Sequence, residues 1–182
     1  MLNATPDRSL AVQDHFDLLG LPRSFSIEPH TLEAAWKRVA LAVHPDRFAT
    51  RSAAEKRVAM QWSSQANEAY RILREPMSRA RYLCELAGVD LQVETNTAMS
   101  SDFLFRQMSW HEQLDALLEL GRDSSARHVA QETLNAELAE AENKIVLQVG
   151  DDLDAGRFDR ASPLVREWMF INKMIAQLRA IN

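Results

Sequence analysis

The sequence predicts an all-α chain built of two helical modules. Three observations carry that reading. Helix formers (Ala, Leu, Glu, Gln, Arg and Met) dominate the 182 residues, while glycine stops at 5. Apolar residues recur at spacings of three and four, and runs rich in Val, Ile, Thr and Tyr are few. The charge is also split. Up to Gly88 there are 12 Lys/Arg against 10 Asp/Glu, a net of +2; from Val89 onward there are 9 against 16, a net of −7. Such asymmetry suggests two modules with different partners.

Helix starts and stops set the elements in order. The short apolar segment Phe16-Asp17-Leu18-Leu19 ends at Gly20. The stretch from Gly20 to Pro29, with two prolines and two serines, reads as a loop. A helix follows from about His30 to Val43, with Leu32, Ala35, Trp36, Val39 and Val43 on its inner face. Pro45 stops it, because proline disfavours helix at the residue before it and lacks a backbone donor. A longer helix covers Ala53 to Arg74, with Val58, Trp62, Ala66, Ala69 and Leu73 as its inner stripe. Pro76 opens another helix, which ends near Ala87. Residues 13–88 thus form the first module, behind a short flexible lead-in at 1–12. The polar stretch 89–100 reads as the linker.

The second module, 101–182, reads as three helices. One runs from about Ser101 to Leu120 and stops at Gly121. One starts after the capping pair Asp123-Ser124 and runs to about Ala155. One covers about Arg157 to Ile181, where Leu164, Trp168, Ile171, Ile175 and Leu178 form a bundle seam. Trp36, Trp62, Trp110 and Trp168 all fall at core-stripe positions.

Composition removes several function classes. A net charge of −5 argues against nucleic acid, which selects a basic excess. No apolar run approaches the roughly 20 residues of a membrane span, and MLNATPDRSL lacks the regions of a signal peptide. The expected location is the cytoplasm. Cys84 is the only cysteine, so neither an internal disulfide nor an all-cysteine metal site is available, and it reads as a core residue. No Gly-rich phosphate loop, nucleophile elbow or His-Glu-x-x-His is present. The expectation is no cofactor, no metal and no enzymatic activity. His15, His30, His111 and His128 are scattered and read as surface or structural.

The informative tripeptide is His44-Pro45-Asp46. Alone it reads as a helix stop and a polar turn. Its context is specific: Leu18-Leu19-Gly20-Leu21 and a helix carrying Trp36-Lys37-Arg38 precede it, Arg47-Phe48 follow, and the next helix ends in Asn67-Glu68-Ala69-Tyr70-Arg71-Ile72-Leu73. From about Asp14 to Arg74 this resembles a J domain. The resemblance implies two antiparallel helices forming a finger with the tripeptide at its tip. The tip, with Lys37, Arg38 and Arg47 beside it, would dock on an Hsp70-type ATPase and bias it toward hydrolysis. Many J domains carry further basic residues one turn before Lys37, where this chain has Glu33 and Ala34.

The remainder narrows the family. Pro76-Met77-Ser78-Arg79-Ala80-Arg81-Tyr82-Leu83, then Gly88 and Asp90-Leu91, then an acidic helical tail opening with Asp102-Phe103-Leu104, resemble the HscB co-chaperones over nearly the whole chain. The resemblance implies an L-shaped arrangement of J domain and three-helix bundle. It also implies a client, the iron–sulfur cluster scaffold IscU, delivered to a specialised Hsp70 (HscA in bacteria) for cluster transfer. At 100° per residue, Phe103, Trp110, Leu114 and Leu117 fall within about 40° of one line, while Leu104, Phe105 and Met108 lie about 100–160° away. Apolar residues there either pack elsewhere on the chain or form a partner patch. By resemblance, Leu104, Phe105, Met108, Glu112 and Phe170 occupy scaffold-contact positions, while Ser109 and Ala116 replace residues that are often acidic. Zinc-binding cysteine pairs found in some members are lacking.

Two other readings remain at this point. The chain could be a J protein serving a different client, or His44 and Asp46 could be an acid–base pair. A tip between two helices is convex, whereas catalysis usually needs a concave, water-excluding pocket.

Overall fold

A computed structural model describes residues 14–91, 99–121 and 124–181. They form seven α-helices: α1 (His15–Leu19), α2 (Pro29–Ala42), α3 (Ala53–Arg74), α4 (Pro76–Leu86), α5 (Ser101–Glu119), α6 (Ser125–Asp154) and α7 (Phe158–Ala180). One 3-10 turn, Pro45–Phe48, joins α2 to α3, and the described residues contain no strand. The all-α expectation holds. The lead-in at 1–12, most of the linker and Asp123 lie outside the described residues. The chain divides into two compact units, Met1–Arg79 and Ala80–Asn182, with the division inside α4.

In the first unit, local chemistry sets each boundary. Asp14 caps α1, its Oδ1 accepting from the Asp17 N–H at 2.8 Å, and Gly20 closes it in the left-handed region at φ 67°. Pro29 opens α2 at a position where no donor is needed. Ser52 and Glu55 cap each other's backbone at the start of α3. Phe16, Leu19, Leu32, Ala35, Ala66, Ala69 and Leu73 close the core. Trp36 holds α2 to α3: its ring stacks on Tyr70 at 4.8 Å, and its Nε1 donates to Asn67 Oδ1 at 2.9 Å.

The inner stripe of α3 needs correcting. Ala66, Ala69 and Leu73 are buried, but Val58 is 53% and Trp62 38% exposed, and Ala59 is buried instead. The reason is cover. α3 is 22 residues long and α1 only five, so one flank of α3 emerges into solvent toward the tip. Trp36 and Val39 on α2, and Val43 just after it, are likewise only half-buried.

In the second unit, α5, α6 and α7 make the bundle. Arg127, at the start of α6, donates to Leu117 O and Leu120 O at the end of α5 and to Ile181 O at the end of α7. A buried cation there meets the negative ends of two helices. At the other end, Glu167 of α7 is buried and accepts from the Ser100 hydroxyl at 2.9 Å, fixing the residue that caps α5. Trp168 donates to Glu142 at 3.2 Å, tying α7 to α6. Pro163 sits within α7 and leaves the Asp159 carbonyl without its helical donor; the Ser162 hydroxyl reaches that oxygen at 3.5 Å. Along the seam, Trp168, Ile171, Ile175 and Leu178 are buried, Leu164 is only half-buried, and Val165 and Met174 join the core.

Candidate docking surfaces

The first surface is the turn between α2 and α3. Val43 ends α2, and His44 is the extended residue that caps the 3-10 turn opened by the backbone of Pro45. The His44 Nδ1 accepts a long hydrogen bond, 3.4 Å, from the Asp46 N–H. A nitrogen that accepts cannot also donate, so this geometry places the ring proton on Nε2. The Asp46 carboxylate lies 3.6 Å from the same Nδ1 and is 91% exposed, against 54% for the imidazole. Such an exposed carboxylate beside an open imidazole edge suits recognition of a cation on another molecule. At these exposures water reaches both side chains. A groove of about 800 Å³ in the second unit is lined by residues such as Arg106, Asp152, Arg160 and Glu167, none of them from this turn.

The three cations read as flanking the tip are placed differently from one another. Arg47 folds back, its guanidinium donating to Leu41 O at 3.2 Å near the end of α2. Lys37 pairs with Glu33 at 2.6 Å, one turn earlier on α2. That contact raises the Lys37 ammonium and lowers the Glu33 carboxyl from their ordinary values. Arg38 turns toward α1 and donates to Leu19 O at 2.9 Å. Lys37 and Arg38 stand about 10 Å before the tip along the helix and point about 100° apart. Arg51, Lys56 and Arg57 are exposed at and just inside the start of α3, adding positive charge that the sequence reading did not single out.

The second surface lies on α5. Phe103, Trp110, Leu114 and Leu117 are buried against the bundle. The opposite flank is open: Leu104 is 43%, Phe105 72% and Met108 59% exposed. Glu112 is exposed one turn beyond Met108. Phe170 reaches the same region from α7. It is half-buried, with its ring edge-on to Phe103 (5.7 Å, 87°) and to His111 (5.7 Å, 73°). Three adjacent exposed apolar side chains in a monomer's surface mark an interaction site more often than chance. Phe103 also receives Arg106, whose guanidinium carbon lies 5.5 Å from its ring centre.

Neither surface holds a metal constellation: no group of three or more His, Cys, Asp or Glu among the described residues could bind an ion. No helix among them is long and apolar enough to cross a membrane.

Comparison with known proteins gives one answer at three levels. The family model described as the DnaJ domain matches residues 14–82. The one described as the HSCB C-terminal oligomerisation domain matches 99–179. A co-chaperone protein HscB homolog of Bordetella pertussis is 51% identical over 172 residues, spanning 94% of this chain and 97% of the relative. Another, from Azoarcus sp., is 44% identical over 163 residues, 89% of each. Among solved structures, the chaperone HscB from Vibrio cholerae superimposes with a TM-score of 0.81 at 26% identity, covering 92% of this chain and 97% of that one. Human co-chaperone protein HscB gives 0.80 at 23% identity over 99% and 93%, a likeness of fold.

Proposed function

The chain belongs to the HscB family of J-domain co-chaperones, and from that premise we propose that it delivers an iron–sulfur cluster scaffold of the IscU type to a specialised Hsp70 of the HscA type. The family supports the Hsp70 co-chaperone role in iron–sulfur cluster assembly. One observation carries the finer reading: an open His44–Asp46 tip stands on one unit, and an open apolar patch stands on the other.

The division of labour follows from the chemistry of each. The tip offers a carboxylate and an imidazole edge to the ATPase, favouring its hydrolysis-competent state. Arg47 and Arg38 hold the tip and α2 in place through backbone carbonyls, while Lys37, Arg51, Lys56 and Arg57 supply attraction at longer range. Leu104, Phe105, Met108, Glu112 and Phe170 bind the scaffold. The cluster is cargo of the scaffold, and the hydrolysis belongs to the Hsp70. This chain supplies contacts, works without a metal or cofactor of its own, and acts in the cytoplasm.

The test separates the two surfaces. Replacing His44 with Gln abolishes stimulation of the Hsp70 ATPase while scaffold binding and helicity stay at parental levels. Full stimulation by that variant would remove the tip from the mechanism.

A further inference from the structure

The scaffold patch has an edge that the apolar residues alone do not define. On α5, Leu104, Met108, His111, Asp115 and Leu118 fall within one arc of about 80° at 100° per residue. All five are exposed, Leu118 at 52%. His111 and Asp115 are the polar residues of this face, and His111 is the one that carries a ring. Its ring is not loose on the surface: it meets Phe170 edge-on at 5.7 Å and 73°. Phe170 in turn meets Phe103 at 5.7 Å and 87°, and Phe103 is completely buried. Three rings thus run from the bundle core to the surface and bridge α7 to α5.

We propose that His111 is a further contact residue of the scaffold site, presenting a ring nitrogen to a polar group of the scaffold beside its apolar contacts. This rests on the scaffold reading given above. The ring contact positions the imidazole before the partner arrives, so little rotamer freedom is lost on binding. Neither ring nitrogen is hydrogen-bonded to the described residues, so both remain available to a partner. A ring with a polar edge beside exposed apolar side chains offers a partner both apolar contact and a hydrogen bond. A hydrogen bond at the edge of an apolar patch also adds discrimination that Leu104 and Met108 cannot, because a scaffold lacking the matching group would leave the nitrogen unpaired.

The experiment is calorimetric titration of the full chain with the cluster-free IscU-type scaffold. It compares His111→Phe, His111→Ala and Met108→Ala with the parent. His111→Phe keeps a ring against Phe170 and removes both nitrogens; it weakens binding about three- to tenfold, the worth of one net hydrogen bond, with an unchanged melting temperature. His111→Ala weakens it at least as much. Parental affinity for His111→Phe, with Met108→Ala weakened, overturns this proposal and leaves the scaffold reading standing. Parental affinity for all three variants overturns both.

Discussion

Consider replacing Leu104, Phe105 and Met108 together with alanine. They are 43%, 72% and 59% exposed. Burying a side chain of this size in full contributes about 1.5–3 kcal/mol. The area still open on the three therefore represents about 4 kcal/mol, of which association retains about 2–4 kcal/mol after ordering costs. That is a loss of about thirtyfold to several hundredfold in Kd. Folding loses only the part already covered, about 3 kcal/mol, and alanine's better helix propensity returns about 1 kcal/mol of that. In a unit of this size the melting temperature then falls by about 8–16 °C. Phe103→Ala is the contrast: the ring is wholly buried, and its loss costs about 3–5 kcal/mol. Titration calorimetry against the scaffold and thermal melts read the two effects separately. A triple variant that melts as low as Phe103→Ala would place these side chains in the core, and one that binds the scaffold as the parent does would remove them from the docking surface.

Two further outcomes follow from the packing. Arg127→Ala leaves Leu117, Leu120 and Ile181 carbonyls without their shared donor and costs about 2–4 kcal/mol, read by chemical denaturation; a change below about 0.5 kcal/mol would show that water replaces the guanidinium freely. Burial pushes the Cys84 thiol up to about 11, so the folded chain does not react with a disulfide reagent at pH 8 and does so once unfolded. The same shift fixes a sign. The unfolded thiol ionises near about 8.5 while the folded one stays protonated, so its share of stability is full below about pH 8.5 and is lost as pH rises through about 11. A melting temperature that rises between pH 8 and 10.5 would contradict that burial.

Much of the fold was legible because its punctuation is local. Pro29, Pro45 and Pro76, the left-handed glycines at 20 and 88, and Ser100 and Ser124 at helix starts mark boundaries that the structure shifts by a residue or two at most. The Ser52–Glu55 capping box carries a sequence signature that went unread. The inner stripe of α3 misled because periodicity says which side of a helix is apolar, and not how far a neighbouring helix extends along it. Trp62 keeps the right phase, about 25° from the buried line, and still emerges beyond the reach of five-residue α1. Long-range polar ties were invisible for a different reason. Arg38 to Leu19, Arg127 to Ile181 and Glu167 to Ser100 join groups 19, 54 and 67 residues apart, and nothing local distinguishes them from other charged helix residues. At the candidate sites, helical phase was enough to find Leu104, Phe105 and Met108. The link between His111 and Phe170 needed the packing of α5 on α7.

The proposed function is coupling of one client to one ATPase. The direct measurement is the steady-state ATPase rate of the HscA-type Hsp70 with this chain and the scaffold added separately and then together. Coupling requires stimulation by this chain, amplified when the scaffold is also present, and loss of both effects with His44→Gln. Stimulation indifferent to the scaffold would contradict the client assignment, and no stimulation at all would contradict the whole.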